Sequence, residues 1–179
     1  MATTTWKIDP AHTTIEFAVK HMMFTTVRGR FKDVNGPIDA DEDNPENSRV
    51  HVEIDAASID TGNNDRDTHL RSADFLDVEN HPKLTFQSKR VEGAAKKEGD
   101  HFKVIGDLTI RGTTLEVTLE CEYGGTGKDP WGGIRAGAGA VTKIDRREWG
   151  LRWNQALETG GILVANEVKV EVEVQAVKS

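Results

Sequence analysis

Cysteine, aromatic residues and long apolar runs are scarce in this chain of 179 residues. The single cysteine, Cys121, excludes a disulfide within the chain and is compatible with a reducing compartment. No segment approaches the roughly 20 apolar residues that a membrane helix needs, so we expect no stable membrane insertion. The chain opens with MATTTWK, which lacks the basic and apolar regions of a secretory signal, and we therefore expect a cytoplasmic protein.

Basic residues are outnumbered by acidic ones, 23 against 30, which gives a formal net charge of −7. Because binding to nucleic acid needs clustered Lys and Arg, this balance argues against a nucleic-acid partner. Hydrophobic residues make up 36% of the chain, a low share that is typical of a sheet with one face in water.

Familiar catalytic motifs are also missing. The sequence contains no G-x-S-x-G, H-E-x-x-H, C-x-x-C or phosphate-loop motif. Asp67 lies two residues from His69, and His51 two residues from Glu53, but pairs of this kind are common by chance. Cys121 occupies a core position of an alternating strand. We therefore predict no enzyme and no cofactor or metal, with a hydrolase as an alternative.

The dominant pattern is alternation of apolar and polar residues, which is typical of half-buried antiparallel strands. It is clearest where Val168, Val170 and Val172 alternate with charged residues. With the turn signals between them, such segments predict about eight strands, at residues 15–21, 28–38, 50–55, 84–87, 102–110, 115–123, 134–144 and 168–176. Phe31 and Val34 lie three apart, which predicts a bulge or bend at residues 32–33.

Residues 62–76 break this alternation. Asn63 or Asn64 can cap a helix, and Asp65 and Asp67 suit its first turn, so we predict a short helix across one end of the sheet. Closing the sheet into a barrel would remove its exposed edges. The sequence thus predicts a single all-β domain over residues 1–179, an eight-stranded antiparallel barrel with a short helix at one end.

A barrel of eight strands is just wide enough to be filled by side chains or to hold one slim ligand. The predicted inward face carries Ile15, Phe17, Val19, Phe31, Phe86, Leu108 and Ile110. In one interpretation these side chains pack a solid core, and the protein is a structural or interaction protein with a plugged barrel. In the other they line a tunnel for an apolar chain, each of whose methylenes gains about 0.8 kcal/mol on leaving water.

Polar side chains at a tunnel mouth would hold the head group of such a ligand. The candidates are Arg66, His69, Arg71 and Arg146. Arginine can grip a phosphate or a quinone oxygen. Alternatively, Arg66 and Arg71 pair with Asp67 and Asp74 and hold the helix on the barrel end.

Three further residues have two interpretations each. His21 and Phe24 follow the apolar face of the first predicted strand and either contact a ligand or lie at the rim of the barrel. Trp149, four residues before Trp153, suits a tunnel mouth because the indole ring is amphipathic, but packing against the barrel floor fits as well.

The chain resembles the YceI-like family of lipid- or polyisoprenoid-binding proteins. Matching segments occur in order along nearly the whole chain, at residues 6–13, 17–22, 27–31, 57–61, 66–77, 81–88, 106–112 and 146–151. The most specific segment reads RDTHLRSADFLD, at residues 66–77.

The resemblance implies a lipocalin-like barrel with an elongated hydrophobic tunnel that binds a long isoprenoid chain or a quinone-like lipid, for carriage, storage or sensing. It also implies a homodimer. Many relatives are periplasmic, unlike the cytoplasmic location expected here. The predicted ligand-binding residues are Ile15, Phe17, Val19, His21, Phe24, Phe31, Phe86, Leu108, Ile110 and Trp149.

Overall fold

The computed structural model describes residues 3–93, 95–157 and 163–179. The strands of these residues are β1 (Thr3–Ile8), β2 (Thr14–His21), β3 (Thr25–Phe31), β4 (Val34–Asn35), β5 (Pro37–Asp41), β6 (Arg49–Asp55), β7 (Ile59–Asp60), β8 (Lys83–Gly93), β9 (His101–Ile110), β10 (Thr113–Lys128), β11 (Ile134–Asp145) and β12 (Glu167–Lys178). The α-helix α1 (Asn64–Arg71) lies between β7 and β8. None of the helices in the described ranges has the length and apolar content needed to cross a bilayer.

Eight of the strands close an antiparallel ring in the order β1-β5-β6-β8-β9-β10-β11-β12 and back to β1. The closing pairs join Trp6 to Lys178 and Ile8 to Ala176. Ring closure leaves these strands without a free edge, which explains how such long strands avoid pairing with other chains. The predicted all-β barrel with a short helix is therefore confirmed.

The four remaining strands extend the barrel wall beyond one end of β1. After the turn at Pro10–His12, β2 pairs with β12, with Ile15 opposite Val172. β3 pairs with β2 and β7, and β4 pairs with β6. Thus β1 and β2 occupy successive stretches of the same edge of β12, and this end of the wall encloses the space described below.

Alternation places one face of each strand inside. On β10, Val117 and Cys121 are buried while Glu116 and Glu120 are exposed. Inside, the ring of Phe86 lies across β9 at Gly106, where a Cβ would be 2.6 Å from Phe86 Cζ and 2.5 Å from a backbone oxygen. A glycine is therefore needed at this position for the two strands to pack.

Most predicted elements are present. The predicted strand over residues 28–38 is interrupted at residues 32–33, between β3 and β4, as the three-residue spacing indicated. α1 is shorter than the predicted segment, and its cap is Asn63, whose side chain accepts a hydrogen bond from Arg66 N at 3.0 Å. The prediction missed β1 and β7. β1 opens with threonines and offers only Trp6 and Ile8 as apolar inward residues, and β7 has only two residues.

Candidate functional site

A cavity of about 310 Å³ lies inside the extended end of the barrel, under α1. Its walls come from β2, β3 and β12 on one side, from β6, β8 and β9 on the other, and from residues that follow β11. The apolar lining residues are Ile15, Phe17, Val19, Val27, Phe31, Ile54, Ile59, Leu70, Phe75, Leu76, Leu84, Leu108, Ile110, Ile144, Leu151, Trp153, Leu163, Val164, Val168 and Val170. The polar ones are Glu16, Lys20, His21, Thr61, Arg66, His69 and Arg146.

The apolar lining follows from strand register. Phe17 lies opposite Val170 on β12, so alternate residues of both strands face the same space. The rings of Phe17 and Phe31 lie 5.7 Å apart, centroid to centroid, in a tilted arrangement. Phe17 also covers Gly29 of β3, its partner across the hairpin. The result is a smooth hydrocarbon wall along one side of the cavity.

Seven of the ten predicted ligand-binding residues line this cavity, and their contact with a ligand stays a prediction. They are Ile15, Phe17, Val19, His21, Phe31, Leu108 and Ile110.

The other three predicted side chains lie elsewhere. Phe86 is buried in the packed part of the barrel, over Gly106. Trp149 is 2% exposed and its Nε1 donates to Leu108 O at 3.0 Å, so it packs against the barrel floor. Phe24 is 80% exposed, at the tip of the β2–β3 hairpin. Sequence alternation could not place it, because it lies in a turn rather than on a strand.

Two of the predicted head-group arginines are engaged with the backbone. Arg66 donates to Thr61 Oγ1 at 2.7 Å and to Thr61 O at 2.8 Å. Arg71 donates to Ala57 O at 3.0 Å and to Ile59 O at 3.1 Å. Both therefore hold α1 against the segment that precedes it, and of the two only Arg66 reaches the cavity lining.

The predicted pairing of these arginines with Asp67 and Asp74 is wrong. Asp67 is buried and accepts hydrogen bonds from the backbone N–H and the hydroxyl of Thr61. Asp74 Oδ2 lies 2.9 Å from Nε2 of His69 instead. Sequence spacing suggested the pairs, but Asp67 on α1 and Asp74 in the turn after it have other partners.

Arg146 organises the wall that follows β11. It is 4% exposed, and its side chain donates to four backbone carbonyls, those of Ala165 at 2.9 Å, Leu151 at 2.6 Å, Trp153 at 3.0 Å and Val164 at 3.2 Å. Burial lowers the pKa of Arg146 below its ordinary value. The neighbouring Arg147 is instead exposed and forms an ion pair with Asp145 at 2.6 Å. Arg146 thus holds residues 151–153 and 164–165 together at the cavity wall.

His69 and Trp153 meet at the cavity wall. The ring centroid of His69 lies 4.6 Å from Trp153 and 5.1 Å from Phe75, edge to face in both cases. With its Nε2 held by Asp74, the imidazole is fixed between two aromatic rings. This arrangement links α1 to the segment that Arg146 holds.

The sequence prediction missed part of the lining. Val168 and Val170 were recognised as one face of a strand, but alternation alone does not say which face is inside. Leu163 and Val164 lie outside any periodic segment, and hydrogen bonds from Met22 N to Leu163 O and from Arg146 and Asn154 to Val164 O hold them at the cavity. No sequence signal marked these two residues.

Side chains that could react or bind a metal lie away from the cavity or are made unreactive by burial. Burial raises the pKa of the Cys121 thiol to about 12. His51 Nε2 and Glu53 Oε1 are 3.6 Å apart on the outer side of the barrel. Over residues 3–93, 95–157 and 163–179, no three His, Cys, Asp or Glu side chains come together as a metal site would require.

Comparison with known proteins finds one matching family, close sequence relatives and solved structures of the same fold. The YceI-like domain family matches residues 6–176. Protein YceI of Escherichia coli O6:H1 is 42% identical over 149 residues, which cover 82% of this chain and 76% of that protein. BcnA of Burkholderia cenocepacia is a structural neighbour with a TM-score of 0.78 and 23% identity, covering 94% of this chain and 98% of BcnA. A polyisoprenoid binding domain from Saccharophagus degradans has a TM-score of 0.74 and 14% identity, covering 98% of this chain and 99% of that domain.

Proposed function

Because the chain belongs to the YceI-like family and its barrel encloses an apolar cavity, we propose that it binds a long-chain apolar ligand there, a polyisoprenoid or quinone-like lipid, for carriage, storage or sensing. The observation that carries this proposal is the hydrocarbon lining between β2, β12 and α1. The polyisoprenoid binding domain among the structural neighbours supports the same ligand class.

The size of the cavity bears on how much of the ligand it holds. An apolar protein cavity of about 150 Å³ accommodates benzene. The present cavity, at about 310 Å³, is roughly twice that size and so suits about a dozen carbon atoms. A longer polyprenyl chain would place about two isoprene units inside the cavity and the remainder outside its opening.

Binding of this kind needs few polar contacts. Each methylene that leaves water contributes about 0.8 kcal/mol, so the buried segment alone supplies most of the affinity. Arg66 and His69 line the cavity and are the side chains we propose to contact a polar head group. Arg146 already donates to four carbonyls, so we assign it to the protein rather than to the ligand.

Binding also accounts for the cavity better than catalysis does. Three of the polar side chains that line it are held by the protein: Arg66 by Thr61, His69 by Asp74 and Arg146 by backbone carbonyls. A catalytic site needs a nucleophile or base and its partners aimed at one point. The lining instead offers shape and apolar area, which suit recognition of a chain.

Lipid extraction from protein purified without detergent tests the proposal. The extract is analysed by mass spectrometry for the wild type, for Phe17→Trp, which fills the cavity, and for Phe102→Trp, a matched control. Phe102 packs against the core but is not among the lining residues. Wild type and control are expected to carry a polyprenyl or quinone species that Phe17→Trp lacks while keeping its fold by circular dichroism. Absence of lipid from all three, with no uptake of added geranylgeraniol, would contradict the proposal.

A further inference from the structure

The tip of the β2–β3 hairpin exposes three consecutive apolar side chains. Met22 is 40% exposed, Met23 64% and Phe24 80%. Isolated apolar side chains on a surface are ordinary, but three consecutive ones in a hairpin turn are not.

The turn itself is unfavourable for these residues. Phe24 N donates to His21 O at 3.1 Å, and Met22 and Met23 have φ values of 51° and 66°. Both central residues are left-handed, as in a type I′ turn, for which Asn-Gly is the preferred pair. Methionine is not favoured in this backbone conformation. Apolar side chains therefore occupy the turn in place of the residues that would stabilise it, and such departures are expected at functional sites.

The tip stands beside the opening of the cavity. Lys20 and His21, which directly precede it, line the cavity, and Lys20 is exposed, so the cavity reaches the surface there. Backbone hydrogen bonds fix the hairpin to the adjacent residues 163–165, from Met22 N to Leu163 O at 2.8 Å and from Ala165 N to Lys20 O at 3.0 Å. We call this opening the cavity mouth. The apolar tip is therefore attached to the rim of the mouth by backbone hydrogen bonds.

We propose that Met22, Met23 and Phe24 insert into the surface of a lipid bilayer and hold the cavity mouth against it, so that the ligand passes between membrane and barrel. This inference rests on the proposed function, because a ligand of that class resides in membranes.

The shape of the tip favours a bilayer over a protein partner. A stable protein interface buries about 800 Å² on each side, and three side chains on a convex turn cannot supply that area. A bilayer surface, in contrast, can accommodate a small group of apolar side chains, and each apolar group buried in it makes binding more favourable.

The charges next to the tip agree with this occupant. On the outer face of the hairpin, Lys20 lies opposite Thr26 and Arg28 opposite Ala18. None of the ion pairs among the described residues involves Lys20, whereas Arg28 lies close to Glu16 and Glu171. Lys20, two residues before Met22, is thus placed to meet a lipid phosphate when the tip inserts.

The turn geometry provides a variant that separates membrane contact from folding. In Met22→Asn/Met23→Gly/Phe24→Ser, the preferred type I′ pair replaces two methionines, so the hairpin should fold at least as well while its tip becomes polar. Trp131→Ser is the matched control, since Trp131 is 86% exposed and follows β10 at the opposite end of the barrel. That placement follows from the register on β12, where Arg135 is opposite Val177 and Ala18 is opposite Lys169.

The experiment measures co-sedimentation with phosphatidylcholine vesicles, with and without phosphatidylglycerol, for the wild type, the tip variant and Trp131→Ser. We expect the wild type and the control to partition equally and the tip variant at least tenfold less, with an unchanged or higher Tm. Equal partitioning of all three, or no binding by the wild type, would overturn the inference. A loss of dimer mass in the tip variant on sedimentation would overturn it too, by assigning the tip to a second copy.

Lipid extracted from the same preparations separates the two proposals. If the protein contains bound lipid but does not co-sediment with vesicles, the membrane inference alone is overturned. Protein without lipid that also takes up no added geranylgeraniol overturns the proposed function, and the tip then has no ligand to deliver.

Discussion

The aromatic ring of Phe17 lies directly over Gly29 of the neighbouring strand. A Cβ on Gly29 would overlap Phe17 Cζ and would lie 2.8 Å from Thr61 Cγ2. The absence of a side chain on β3 therefore sets the position of a ring on β2. Since Phe17 lines the cavity, Gly29 helps to determine how much space the ligand has.

Gly29→Ala should push the ring of Phe17 into the cavity. We expect a loss of stability of about 1–3 kcal/mol, typical of overpacking, and a reduced capacity for apolar ligands. Urea unfolding and displacement of a bound apolar fluorophore measure the two effects. Gly139→Ala is the control, because a Cβ there would lie at an ordinary 3.8 Å from its nearest neighbour, Val172 O. Recovery of capacity in Gly29→Ala/Phe17→Leu is expected; no change in Gly29→Ala would refute the relationship.

Trp149 supports the floor of the cavity through one hydrogen bond and extensive packing. Trp149→Phe keeps most of the ring but leaves Leu108 O without the indole donor, so we expect a loss of about 1–3 kcal/mol in the free energy of unfolding. Trp131→Phe, at an exposed ring, should change that free energy by less than about 0.5 kcal/mol. Chemical denaturation followed by circular dichroism distinguishes the two. Equal effects would mean that the hydrogen bond is unimportant.

Asp9 and Arg135 tie the start of the chain to β11. Arg135 Nη1 lies 2.7 Å from Asp9 Oδ2, and hydrogen bonds from His12 and Arg135 lower the pKa of Asp9 to about 2. Because the folded pKa is below the usual 3.8, this pair stabilises the fold above about pH 4 and the contribution is lost as the pH falls toward 2.

Removing the arginine tests this linkage. In Arg135→Gln, the folded pKa of Asp9 should rise toward the usual 3.8, so the loss of stability between about pH 4 and pH 2 should become smaller. Carboxyl titration by NMR measures the pKa, and urea unfolding at a series of pH values measures the stability. Asp145, whose pKa is lowered to about 2 by Arg147, is the internal control and should not shift. A parallel rise at Asp145 would point to a general change of structure instead.

The thiol of Cys121 should resist chemical modification. Burial raises its pKa to about 12, so almost none is thiolate at pH 8. We expect a disulfide reagent to react with the folded protein at least a hundredfold more slowly than with the same protein in denaturant. Rapid reaction without denaturant would show that the barrel opens at β10 on the time scale of the assay.

Local chemistry was enough to predict much of the fold. The alternation in β12 and the Asn63 cap of α1 are properties of a few neighbouring residues, so they can be read without knowing the tertiary structure. β1 was missed because its first residues are threonines whose alternation carries little contrast, although its pairing with β12 closes the ring.

The cavity was predictable only in part, because alternation identifies a face but not its surroundings. Phe17 and Phe86 both occupy inward positions, yet one lines the cavity and the other fills the packed end. The difference comes from Gly106, which lets Phe86 lie flat across β9, and from the extra length of wall that β2 provides. The predicted pairing of Arg66 and Arg71 with Asp67 and Asp74 was wrong for a similar reason. Both arginines bind backbone carbonyls, whose positions the sequence does not reveal.

Closure of the ring through β12 has a consequence for how the protein is made. Among the described residues, β12 follows all the other strands, yet it pairs with β1 and β2, which are made much earlier, as well as with β11. During synthesis, the edges of β1, β2 and β11 that pair with β12 stay unpaired until β12 emerges from the ribosome. Contacts between such distant positions slow folding and prolong exposure to wrong pairings. The nascent chain is therefore expected to depend on chaperones most at the moment just before its final strand appears.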